Sequence, residues 1–172
     1  MDFEIGSAAL AGLISGGVMA AILYMTMIVM PAQMKMNMFM LLGSMMMPVG
    51  APAFLAGAMI HSGMSIVFGL AHAAVFSVAE IDSAYAAWGL LFGLVHWGIV
   101  GMALGMLPLM HKRIRYGGFR LVPAVGGNPH PETLLDPPGF YALGYPLMTV
   151  AGFLMLHLLF GVIFGALYSA WT

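Results

Sequence analysis

Histidine and methionine hold most of the chemistry open to this chain. It has six His, nineteen Met and no Cys. Without cysteine there is no disulfide, no thiolate catalysis and no Cys-ligated zinc or iron–sulfur centre. Four of the histidines, His61, His72, His96 and His157, fall inside long apolar stretches. An imidazole there is unfavourable unless it finds a hydrogen-bond partner or a ligand, so inward-facing rings are expected. Neutral imidazoles from facing helices ligate haem iron or copper, which makes His61 and His157 the first candidates for a haem b or copper site. His96 and His72 are further candidate ligands or steps in a proton path, although packing and hydrogen bonding to a neighbouring helix are the roles expected of each.

Thioether sulfur is a soft ligand suited to Cu(I). Met64 lies one helical turn from His61 and joins His61 and His157 as a candidate metal ligand. Met34, Met36, Met38 and Met40 alternate, and Met45, Met46 and Met47 follow. On a helix, alternate positions scatter around the circumference and do not converge on one ion. Most of these side chains are therefore expected to act as adaptable apolar filler. Tyr85, Trp88, Tyr168 and Trp171 are expected at a membrane boundary, and Trp97 is expected to pack against a neighbour. No nucleophile elbow, phosphate loop or paired carboxylate lies within an apolar stretch, so no enzyme activity is expected of the chain by itself.

The elements that must position these residues follow from composition. The 172 residues are 62% hydrophobic and 6% charged, against about a quarter charged in an ordinary soluble domain. Near-neutral net charge gives no reason to expect a nucleic-acid partner. Residues 7–30, 53–79, 84–110 and 142–171 contain no Asp, Glu, Lys or Arg. Each matches the ~20 apolar residues that span a bilayer as a helix. Strand-length alternation is absent, which argues against a β-barrel. The expected fold is an all-α integral membrane four-helix bundle forming one domain.

Lys35 falls after the first stretch, and Lys112, Arg113, Arg115 and Arg120 follow the third. The positive-inside rule puts residues 31–52 and 111–141 in the cytoplasm and both termini outside, in a bacterial or archaeal cytoplasmic membrane. Asp2 and Glu4 occupy the place where a secretory leader carries Lys or Arg, so the first stretch is expected to remain. Residues 31–52 read as a short interfacial helix between Pro31 and Pro48. The Gly- and Pro-rich 111–141 reads as an irregular loop in which Glu132 and Asp136 are solvated.

The chain also resembles itself. GLISGGVMAAIL from Gly12 lies over GLVHWGIVGMAL from Gly93, and HSGMSIVFGLAHAAVF from His61 over HLLFGVIFGALYSAW from His157. In the second pair His72 falls on Tyr168. The pattern predicts two repeated hairpins about a pseudo-twofold axis along the membrane normal. Glycines at four-residue spacing (Gly12 and Gly16, Gly89 and Gly93, Gly101 and Gly105, Gly161 and Gly165) predict close helix contacts. These features suit an accessory subunit of a larger membrane assembly, one handling electrons among them, with other membrane subunits or further copies of itself as partners. A metal-ion, proton or small-solute transporter is the alternative.

Overall fold

A computed structural model describes residues 3–124 and 127–172; Asp2 lies outside the described residues. Among the described residues, four helices are long and apolar enough to cross a membrane: α1 (Ile5–Val29), α3 (Ala51–Val78), α4 (Tyr85–Met110) and α5 (Leu147–Trp171). A short α2 (Met38–Ser44) sits between α1 and α3. The spans match the apolar stretches to within a few residues, except that α5 begins later than 142. There Tyr141 and Ala142 take positive φ in a 3-10 turn (Phe140–Ala142), and Pro146 caps α5.

Glycine decides which helices touch. α1 crosses α3 where Gly12 meets Gly69, and a Cβ built on Gly12 would lie 2.9 Å from the Gly69 Cα. Gly89 and Gly161 face each other across α4 and α5 with no room for a side chain on either. Small residues let backbones approach in lipid, where dispersion and weak polar contacts replace the hydrophobic effect between helices. α1 also packs along α5, whereas α3 and α4 barely touch despite being consecutive. Rings hold that last pair apart: Phe68 of α3 stacks on His96 of α4 with centroids 3.6 Å apart. A strict twofold relating the two hairpins would make α1–α5 and α3–α4 equivalent, and they are not. Gly101 and Gly105 form no helix contact of this kind; the rings of Tyr141 and Phe140 lie on them.

The two long connections both fold. Residues 34–37 are not helical and run beneath the bundle into α2, whose first turn is capped by Asn37 Oδ1 accepting from Met40 N at 3.1 Å. Gly43 and Gly57 bring α2 against α3 by abutting Ala53 and Phe39. The expectation of an irregular 111–141 is corrected: β1 (Phe119–Ala124) and β2 (Gly127–Thr133) pair antiparallel. Pro129 and Pro131 hid the second strand, but a two-stranded ribbon has outward edges where the missing N–H does no harm. Solvation of Glu132 is corrected too. It stands opposite Arg120 in the register and bonds both Arg120 and Arg113, with 9% of its side chain exposed. Arg113 Nη1 donates to the Ser44 carbonyl at 3.1 Å, which ties the two connections together at one end of the bundle.

Candidate functional site

Three of the four intramembrane histidines wall one cavity. It measures about 70 Å³ and is lined by His61 and Met64 of α3, His96 of α4, His157 of α5, Met19 of α1, and Met36 and Met38 from the segment beneath, with Leu and Phe side chains between them. Since a water needs roughly 10–15 Å³ in this measure, the cavity holds a few water-sized groups or one ion. A porphyrin is far larger.

Each wall has a physical reason for its place. His157 Nδ1 donates to the Phe153 carbonyl four residues earlier at 2.7 Å. A carbonyl only accepts, so the proton is on Nδ1 and the Nε2 lone pair is free. The His96 and His157 rings meet edge to face, 4.8 Å between centroids at 82°. His61 lies beside Phe39 of α2, 5.5 Å between centroids. Thus the closest imidazole pair on the cavity is His96 with His157, and His61 reaches it from the α2 side. His72 lies deeper toward the other end, about 16 Å along α3 from His61 at ~1.5 Å per residue. It is enclosed by Phe160, Phe164, Phe92 and His96. The Trp97 ring packs against Tyr141, 4.8 Å between centroids.

No known protein family, curated protein or solved structure matches this chain. The site therefore has to be understood from its own chemistry.

Among the described residues, no three His, Asp or Glu side chains are grouped to hold a metal ion. Zinc or a carboxylate-bridged pair of metals has no donor set here. What the cavity does assemble is imidazole with thioether. Met19 and Met64 belong to α1 and α3, whereas Met36 and Met38 come from a connection that sequence reasoning placed on a helix. Because residues 34–37 are not helical, their alternation carries Met34 and Met36 inward together and leaves Lys35 exposed. Met36 and then Met38 reach the cavity; Met34 packs beside Gly152 of α5 instead.

Irregular backbone at this depth is stable only when protein groups satisfy it. Thr149 Oγ1 of α5 accepts from Lys35 N at 3.1 Å and donates to the Gln33 carbonyl at 2.6 Å. Tyr24 Oη accepts from Phe39 N and donates to Asn37 Oδ1, both at 2.9 Å. These supports were missed in the sequence, where Thr149 and Tyr24 are single polar residues in apolar runs. Their position in otherwise apolar spans was the available signal. Outside the spans, the hydrogen bond from Arg113 holds the Glu132 carboxyl below its ordinary range, with Arg120 adding to the effect. Tyr168 is buried, 1% exposed, with its hydroxyl accepting from Glu4 N at the start of α1 at 3.3 Å. Trp88 and Trp171 are exposed, as boundary residues are.

Proposed function

We propose that this protein is a membrane-embedded copper(I) binder that serves a larger membrane assembly. The observation that carries the reading is the single cavity where His61, His96 and His157 face Met19, Met36, Met38 and Met64. Soft thioether and neutral imidazole together suit Cu(I) better than any hard cation, and no carboxylate lines the wall. Haem b is disfavoured by volume and by the His96–His157 contact, which leaves no gap for a porphyrin between the rings.

The duplicated hairpin belongs to the same proposal. It is supported by the pairing of α1 with α3 and of α4 with α5 at glycines. The second crossing is shifted by about a turn: Gly69 meets Ala8 and Gly12, while Gly165 meets Tyr85 and Ala86. The cytoplasmic placement of both long connections is supported by the gathering of Lys35, Lys112, Arg113, Arg115 and Arg120 at one end. Service to a partner assembly is supported by the small mass outside the membrane.

Titration of purified protein with Cu(I) against a chromophoric chelator tests the reading. One Cu(I) per chain is expected for the wild type, with loss of binding when His61→Ala and His157→Ala are combined. No uptake by the wild type, or unchanged affinity in the double variant, would overturn it. A second reading, passage of the ion through the bundle, is favoured by one observation: His72 continues the imidazole row, 5.8 Å from His96. Metal uptake into sealed vesicles separates passage from storage.

A further inference from the structure

Two imidazole nitrogens are buried without a hydrogen-bond partner, His72 Nε2 and His96 Nδ1. Their rings are neighbours, 5.8 Å apart at 70°. His72 is 5% exposed and His96 7%, and the two rings share the wall of a second cavity of about 150 Å³.

The proton positions follow from the partners. His72 Nδ1 lies 2.7 Å from the Phe68 carbonyl and must donate to it, which leaves Nε2 as a pure acceptor. Nothing in its surroundings fixes the proton of His96. If that proton is on Nδ1, one hydrogen bond from His96 Nδ1 to His72 Nε2 satisfies both orphaned atoms once the rings turn toward each other and close by about half an ångström. The stacked Phe68 ring, 24° from coplanar, keeps His96 in that neighbourhood. The same choice puts the His96 lone pair on Nε2. His96 lines the cavity beside His157, whose own lone pair is already on Nε2.

We propose that His72 is a positioning residue: it holds His96 in the Nδ1–H tautomer, so that the Nε2 lone pairs of His96 and His157 act together as ligands. The relay runs from the Phe68 carbonyl through His72 to His96, in the way that ligating histidines are oriented by an acceptor on the far nitrogen. His72 itself touches no ion. The copper part of this inference rests on the proposed function; the tautomer does not.

Nitrogen-15 spectra of the metal-free protein, labelled at histidine, read the tautomer directly. In the wild type, His96 is expected as Nδ1–H. His72→Phe removes the acceptor and should shift His96 toward Nε2–H, while His72→Gln restores an acceptor and should restore Nδ1–H. Cu(I) affinity should fall about 10–100-fold in His72→Phe, the usual effect of losing an outer partner, and recover in His72→Gln. A wild-type His96 protonated on Nε2 overturns the proposal, even if no variant folds. So does a His72→Phe variant that loses copper without a change of tautomer, since that is a packing effect. Failure of the wild type to take copper while the tautomer behaves as expected would sink the copper reading and leave the relay standing.

Discussion

The half of the bundle near the chain termini and the half near the two long connections use the same four helices but are filled differently. Toward the termini, Phe164 and Tyr168 stack one turn apart on α5, 5.6 Å between centroids, and Phe76 meets both from α3. All three are buried, with the His72 imidazole against Phe164 and Glu4 N on the Tyr168 hydroxyl. Toward the connections, methionine and histidine surround a cavity, and part of the wall is a non-helical segment. Dense aromatic packing fixes helix positions, while flexible thioethers tolerate a space whose contents change. The difference teaches that dense packing and the open cavity occupy different levels along the membrane normal.

Substitutions that affect one half and spare the other sharpen that separation. The largest effect is expected from Phe164→Ala, which empties part of the aromatic half. It should cost about 3–5 kcal/mol of unfolding stability, measured by denaturant titration in detergent. Because Phe164 also packs on His72, copper affinity should be compared in Tyr168→Phe, which leaves the rings around His72 in place and should keep it near that of the wild type. Next is Thr149→Val, which leaves Lys35 N and the Gln33 carbonyl unpaired. A loss of about 1–3 kcal/mol is expected, with faster hydrogen exchange at residues 33–36 and slow exchange kept in the aromatic half. Uniform loosening of both halves would erase the contrast.

Smaller effects separate the two inward methionines. Met36→Leu should weaken Cu(I) at least tenfold, or ~1.4 kcal/mol, and Met34→Leu should not, because only Met36 lines the cavity. Both swaps conserve volume and should change stability by less than about 1.5 kcal/mol. Equal copper affinity in the two variants would break the assignment. The smallest effect lies outside the membrane, at Glu132. Its folded carboxyl is held below the ordinary value of 4.5, so its contribution is complete above that value and is lost as pH falls through the lower folded one. Acid unfolding of Glu132→Gln should accordingly show a shallower pH dependence than the wild type.

What the sequence revealed and what it hid divide along similar lines. The spans were legible because length and the lack of charge specify a helix in lipid, and the inward histidines because an unpaired imidazole is costly there. Gly101 and Gly105 carry the rings of Tyr141 and Phe140 instead of a helix, but the other close glycine contacts were legible from four-residue spacing, though not which helices they join. The methionine wall was not, because Met34, Met36 and Met38 look scattered on a helix and aligned only once residues 34–37 are known to be non-helical. Nor was the His96–His157 contact, since repeat alignment sets His157 against His61 and says nothing of how far α4 slides along α5. The ribbon of β1 and β2 was masked by prolines in a Gly-rich setting, where turn signals outnumber strand signals.

The clasp of Thr149 on residues 33–35 also sets an order of events during synthesis. The methionine segment leaves the ribosome early, but the hydroxyl that anchors it and the imidazole at position 157 belong to the last helix made. Until that helix enters the bilayer, the early segment lacks its hydroxyl anchor and the cavity lacks the wall that Phe153, His157 and Phe160 supply. The insertion of α5 thereby completes the fold and closes the cavity in the same step.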